Sequence, residues 1–364
     1  MRLLGRAAAL LLAVPHSAAA QPALDLAGAL RTAQAATRVP AMGVLVIRNG
    51  RIAGSAVRGV RRSDGLAPVQ LGDSWIIGST GKVQTAAMIA RLVDRGVLRW
   101  NVPLSEMLPD LAAAMRPEYR GVTLIQLVSH HAGLPENIAD MAFFESFFGD
   151  TRTLSAQRLA YIARALNEAP VYPAGTDYGY SNTGFLIAAA VAERATGLSY
   201  EQLMQREVFG PLRMASAGFG ATAADQPSGH DDDKPVPPTN PDMFAPAGNL
   251  HMSLSDWAKF CVDQLEGARG HGRLLSPASY RVMQSAQPGG SGGADWGIQP
   301  TIAGRRGPVL IHGGSDGTWF AYVVLFPRTG NGVLVIDNAS AEMGGDAAVM
   351  ALLGAVFPAL APPK

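Results

Sequence analysis

The sequence predicts a mixed α/β protein, α+β in arrangement, in which a sheet domain is split by a long and mainly helical insertion. Three observations carry this. Two β-rich runs flank Asn49-Gly50 near the start, apolar residues recur at helical spacing from Ser79 to about Ser285, and four apolar strand-like runs precede a last helix. Boundaries drawn on that pattern put a discontinuous α/β domain at 21–78 and 286–364 and a mainly helical domain at 79–285. A site is expected where the two meet.

In chain order, Ala23 to Thr37 has the spacing of a helix. Met42-Gly-Val-Leu-Val-Ile47 and Arg51-Ile-Ala-Gly-Ser-Ala-Val57 follow around Asn49-Gly50. Asn-Gly between β-rich runs is the strongest short hairpin signal, because the tight turn needs two residues at positive φ. Helices are expected at 82–96, 123–129, 153–166, 182–195, 199–209, 255–265 and 276–284, with Gly96 and Gly197 as stops. The longest connection, Gly218 to Ala247, holds six prolines and Asp231-Asp232-Asp233. Three adjacent carboxylates with no converging histidine pattern read as a solvated loop, not a metal site. Strands are expected at Asp295–Ile302, Val309–His312, Thr318–Phe326 and Gly332–Asp337, then a helix from Glu342 to Val356.

Composition narrows the function classes. Lys and Arg total 30 against 29 Asp and Glu, so neither nucleic acid nor a strongly charged surface is expected as the main partner. Residues 1–20 read as a secretory signal: Arg2 and Arg6 before the apolar run Ala7–Val14, then Ala18-Ala19-Ala20 before Gln21. That run is far shorter than the ~20 residues that span a bilayer. The expectation is a periplasmic or secreted protein with no stable membrane span. Cys261 is the only cysteine, so no intrachain disulfide can form, and its place in the amphipathic run 255–265 reads as a buried small hydrophobe.

The chemistry centres on Trp75-Ile-Ile-Gly-Ser-Thr-Gly-Lys82. Ser79 and Lys82 stand three residues apart where a strand-like segment turns into a helix, a spacing that stacks hydroxyl and amine on one face. A serine needs a base to take its proton near pH 7, and a lysine serves once burial and the helix terminus lower its pKa. The Ser79 N–H would face an incoming carbonyl oxygen. The pattern alone also fits an N-cap serine beside an exposed lysine, and arises by composition about once in a chain this long. Tyr178-Gly-Tyr-Ser-Asn-Thr-Gly184 precedes the 182–195 helix: either Ser181 or Asn182 caps it, or Tyr180 relays a proton at Ser79 while the Asn182 amide orients Lys82 and substrate. His312-Gly-Gly-Ser315 ends an apolar strand, where two glycines allow backbone and ligand to approach closely.

Together these motifs resemble the serine β-lactamase and D-alanyl-D-alanine carboxypeptidase superfamily, on the class C-like branch that includes family VIII esterases and D-aminopeptidases. Ser79-x-x-Lys82 is its first motif, Tyr180-Ser-Asn182 the Tyr-x-Asn form of its second, and His312-Gly-Gly314 stands in for its Lys-Thr-Gly. The wording between them is also similar, in VTLIQLVSHHAGLPEN, in YPAGTDYGYSNTGFLIAAAVAERATGLSYEQLMQREVFGPLRM and in APAGNLHMSLSDWAKF. The resemblance runs from about Gly43 to Asn338.

It implies a β-lactamase/transpeptidase-like fold, with an antiparallel sheet flanked by helices plus a mainly helical domain. It implies Ser79 as nucleophile, Lys82 as activating partner, Tyr180 as base in acylation and donor to the leaving group, and Asn182 as support for lysine and substrate. His312, Gly313 and Gly314 would line the substrate, and the N–H of Ser315 would be the second oxyanion donor. Which of Lys82 and Tyr180 accepts the first proton is left open. His312 departs from the lysine of β-lactamases, and a histidine with an unperturbed pKa near ~6.5 is mostly neutral at pH 7.5. Arg305 or Arg306 could compensate. The expected activity is hydrolysis of esters or D-amino-acid peptides and amides through an acyl-enzyme, with weak β-lactamase activity. The alternatives are a true class C-like β-lactamase or DD-carboxypeptidase, or a non-catalytic envelope protein that binds peptidoglycan fragments or a partner. No cofactor is expected, and no metal: His130-His131 lack a third ligand at a useful spacing, and the resemblance puts them in a structural segment under the site.

Overall fold

The run Ala41–Arg48 is apolar without alternation because both faces of its sheet are covered. Successive side chains still point to opposite sides: Met42, Val44 and Val46 join one buried cluster, while Ala41, Leu45 and Ile47 join the other. In the computed structural model, which describes residues 24–290 and 292–360, this strand is β1. The expected signal segment at 1–20 lies outside the described residues. No helix among those described is long and apolar enough to cross a membrane.

The main sheet has six strands, all pairing antiparallel: β1, β2 (Arg51–Gly59), β6 (Gly297–Ile302), β7 (Arg305–Ser315), β8 (Phe320–Phe326) and β9 (Asn331–Asp337). Their spatial order is β2-β1-β9-β8-β7-β6, so the first hairpin and the last four strands form one unit across the whole chain. Asn49 and Gly50 both take positive φ, 51° and 72°, as the hairpin reading requires. A smaller sheet joins β3 (Trp75–Ile76), β4 (Gly218–Phe219) and β5 (Leu250–Met252), three segments too short for period-based reading.

Helix α1 (Leu26–Gln34) and the last helix, α9 (Gly345–Val356), cover one face of the main sheet with Leu30, Val349, Leu352 and Val356. Helix α7 (Leu254–Ala268) covers the other with Trp257, Ala258 and Cys261, although it comes from within the stretch 79–285. Cys261 is fully buried, and burial raises its thiol pKa. Asp231, Asp232 and Asp233 are exposed, and Asp233 pairs with Arg38 on the surface.

Beside the sheet stands a helical cluster built on α2 (Lys82–Asp94), α3 (Leu124–Val128), α4 (Leu154–Ala165), α5 (Asn182–Thr196) and α6 (Tyr200–Met204), with α8 (Pro277–Gln284) against α2. Helices α2 and α5 are buried along most of their length, and α2 buries the polar Lys82, Gln84 and Thr85 with its apolar residues. Ser181, not Asn182, caps α5: its hydroxyl accepts the Gly184 N–H, and Gly197 at φ 71° ends the helix.

The two parts meet where the end of β7 lies against the turn before α2. Gly314 packs so closely that a Cβ there would stand 2.5 Å from Ile77 O and 2.7 Å from Ser79 N. On the other side, a Cβ on Gly78 would stand 2.7 Å from Ser315 N. Backbone against backbone leaves no flexible atom to yield. Gly314→Ala is therefore expected to cost ~1–3 kcal/mol, read as a lower urea midpoint with an unchanged slope. Gly354→Ala is the control, since nothing lies within 4 Å of a Cβ there. It should be neutral or stabilising by up to ~1 kcal/mol; equal losses at both positions would refute this account of the junction.

Candidate active site

Ser79 sits in a 3₁₀ turn, Gly78–Gly81, that runs directly into α2, so the Ser79–Lys82 stack forms in the first turns of one continuous helix. Lys82 Nζ is 2.9 Å from Ser79 Oγ and donates to Ala247 O at 2.5 Å. The lysine has no exposed surface. Burial lowers its pKa to about 7, against the opposing pull of the Asp295 and Glu136 carboxylates. Nζ also stands 4.8 Å from the centre of the Tyr180 ring and 5.8 Å from that of Phe185.

The Tyr180 hydroxyl donates to Ser79 Oγ at 2.6 Å. Burial, followed by the charge of Asp295, raises the phenol far above its ordinary pKa, so it carries its proton at neutral pH. Ser79 Oγ thus lies between a protonated phenol and an amine near half-neutralisation at pH 7. The hydroxyl hydrogen of Ser79 is free to point at the amine, because Tyr180 supplies the other one. That set can move a proton off the serine and deliver another to a leaving group, as acyl transfer requires.

Tyr180 is seated by His130, whose ring lies 4.7 Å from the tyrosine ring at 34°. His130 Nδ1 accepts the Ser181 N–H at 3.0 Å, and Nε2 donates to Asp295 Oδ1 at 2.8 Å, which specifies the tautomer. His131 turns elsewhere, toward Ser129 Oγ. Asp295 Oδ2 in turn lies 2.8 Å from His312 Nε2. Asp295 is fully buried, yet the two histidines hold its carboxyl well below the usual range.

The remaining expected residues divide. Ser315 and Asn182 line the same cleft as Ser79 and Tyr180, with Gly314 packed behind Ser79. The amide of Asn182 donates to Asn137 Oδ1 at 3.0 Å, and the hydrogen-bond partners of Lys82 are Ser79 and Ala247 instead. Carbonyl 247 reaches the amine first, from a loop no spacing rule marks. His312 does not present its ring to the cleft: Nδ1 donates to Gly313 O at 2.7 Å and Nε2 faces Asp295. Gly313 contributes that carbonyl and packs its Cα on Tyr322. Arg305 lies at the far end of β7, donating to Phe357 O and stacking on Phe326 and Phe357, too far along the strand to compensate. Asp295 carries no motif and was read only as the start of a strand; Glu136 and Asn137 fall in a segment whose wording gave no role.

The cleft encloses about 380 Å³. Phe144, Phe244 and Met141 form its apolar wall, Glu136 and Asp316 are its acidic groups, and among the described residues no arginine or lysine lines it.

The chain matches the family model described as Beta-lactamase over residues 26–355. It is 26% identical over 333 residues to penicillin-binding protein 4 of Amycolatopsis lactamdurans, covering 85% of this chain and 83% of that protein. It is also 26% identical over 281 residues to the D-alanyl-D-alanine-carboxypeptidase/endopeptidase AmpH of Escherichia coli K12, covering 72% of this chain and 70% of AmpH. Among solved structures, a D-stereospecific amidohydrolase from Streptomyces sp. superposes with a TM-score of 0.72 at 22% identity, over 92% of this chain and 99% of that one. At that identity the likeness speaks for the fold, and the fold is the one expected from the sequence.

Keeping an amine dry opposes folding. The unfolded lysine, with its pKa near 10.5, holds a proton that the folded one gives up above about 7. Between those values the unfolded state binds more protons, so stability rises with pH across the window. Lys82→Met is expected to be more stable than the wild type by ~1–3 kcal/mol at pH 7, the lost bond to Ala247 offsetting part of the gain. The gap should close toward pH 10 in urea titrations. A gap independent of pH would show that Lys82 is charged in the folded protein.

Proposed function

The chain belongs to the beta-lactamase family of serine hydrolases, and from that premise we propose that it opens esters and D-amino-acid amides through an acyl-enzyme on Ser79, with weak activity on β-lactams. The observation that carries this is Ser79 Oγ held at 2.9 Å from a buried amine and at 2.6 Å from a protonated phenol. Lys82 takes the Ser79 proton as Oγ attacks the carbonyl carbon, and the N–H groups of Ser79 and Ser315 receive the oxyanion. Tyr180 gives its proton to the departing oxygen or nitrogen and is reprotonated from the Lys82 ammonium. Water then enters, and the same groups run in reverse to release the acid. A raised phenol pKa and a lowered amine pKa support this order over one in which Tyr180 is the first base.

The preference for esters and amides rests on charge. Penicillins and cephalosporins carry a carboxylate, and here the histidine at the third motif is spent on Asp295, while the cleft offers Glu136 and Asp316. The likeness to AmpH favours D-alanyl-D-alanine peptides as a second substrate class. We further place the mature protein outside the cytoplasm, on the signal-like residues 1–20.

A fluorophosphonate probe should label the wild type and not Ser79→Ala. With p-nitrophenyl butyrate, kcat/KM should rise through an acid limb near pH 7 as Lys82 loses its proton. Nitrocefin should lag behind that ester by roughly five- to a hundredfold in kcat/KM, the worth of one missing carboxylate contact. Labelling that survives Ser79→Ala would overturn the mechanism, and nitrocefin turnover above the ester's would overturn the preference.

A further inference from the structure

We propose that Asp295 is a positioning residue for this acyl-transfer site: its carboxylate ties together one histidine from each side of the cleft, His130 beneath Tyr180 and His312 on β7, and so seats both the phenol and the strand end against Ser79. The proposal rests on Ser79 being the acylated residue.

Both contacts are 2.8 Å, and the three side chains are almost wholly shielded from water. The residues come from three separate elements: the turn after α3, the turn before β6, and β7 itself. Two of them pay in backbone strain, since His130 has φ 64° and Asp295 has φ 68°, a region non-glycine residues rarely occupy. Two strained residues facing each other across one hydrogen bond mark a place where the surroundings over-determine the geometry. What lies on top of them is the reacting set. Tyr180 stacks on His130, the next residue's N–H binds His130 Nδ1, and His312 begins the His-Gly-Gly-Ser315 segment that abuts Ser79.

His312 Nδ1 donates to Gly313 O, and Nε2 stands 2.8 Å from Asp295 Oδ2, an oxygen with no other contact of this kind among the described residues. The groups that feel this carboxylate are His130, His312, Lys82, Tyr178 and Tyr180, while Glu136 acts on Lys82 and Tyr180 from the cleft side. Asparagine at 295 keeps the shape and one acceptor but loses the charge, which favours the Lys82 ammonium. Glutamine at 312 does the opposite, leaving the Asp295 carboxylate in place without the ring beside it.

The test is the pH profile of kcat and kcat/KM for p-nitrophenyl butyrate, corrected for the folded fraction by near-UV circular dichroism. Asp295→Asn should lower kcat by roughly ten- to a hundredfold with KM within about threefold, and should move the acid limb down by ~0.5–1 pH unit. His312→Gln should move the limb up. A carboxylate that only braced the fold would lower the folded fraction and leave both limbs where they were, and that result would overturn the proposal. Should Asp295→Asn not fold, His312→Gln decides alone: an unmoved limb overturns it. Fluorophosphonate labelling of wild-type Ser79 is read separately. If the wild type is not labelled, the acyl-enzyme reading fails first and the limbs are not assigned to this site.

Discussion

An amine without access to water sets the terms for the rest of the molecule. In the proposed mechanism Lys82 is a base only while it is dry, and it is dry because the first turns of α2, Lys82 to Ala90, are buried. A buried cation is expensive, so the group gives up its proton and makes good the loss with a hydrogen bond to Ala247 and another to Ser79. Phe185 and Tyr180 close over it. The aromatic cover, the loop carbonyl and the interior helix all serve one side chain, and the energy given up is a stability–function trade-off of a familiar kind.

The same demand explains the junction. For the proposed chemistry, Ser79 must be reachable by substrate while Lys82, three residues on, is not. A short 3₁₀ turn between strand β3 and helix α2 achieves this by exposing one end of the helix to the cleft and burying the next turn. Strand β7 then comes in at backbone distance, which Gly78 and Gly314 permit by having no Cβ. Larger residues at either point would push apart the Ser79 and Ser315 N–H groups.

Electrostatics divides the site into two layers. Above lie the exposed Glu136 and the half-buried Asp316 with an apolar wall. Below, closed to solvent, lie Asp295 and its two histidines. In the lower layer the carboxylate faces the two histidines; in the upper, Glu136 is exposed to a ligand while Asp316 Oδ1 accepts from Thr318 and Trp319. The histidine in place of the expected lysine belongs to the lower layer, with both ring nitrogens turned to Gly313 O and Asp295 and away from the cleft.

Wherever a pattern repeats over several residues, the elements were legible in the sequence. The Asn49-Gly50 hairpin, the buried helices 82–94 and 182–196, and the strands after residue 296 all follow from apolar period and turn residues. Their ends were less so: β7 begins at Arg305 because its first residues are exposed and polar, and a 3₁₀ turn at Ala341–Met343 precedes α9. That Ser79, Lys82 and Tyr180 come together was legible because the proposed chemistry requires particular residue types at particular spacings. What the sequence could not contain was the partnership of residues far apart in the chain. Asp295 meets His130 across 165 positions, Ala247 meets Lys82 across another 165, and Asn182 turns to Asn137. A local pattern records which groups one helix can present together. Which of them is dry, which carboxylate stands beneath which histidine, and therefore which proton is free to move, is decided by the packing of distant segments, because only burial and proximity in space set a group's charge.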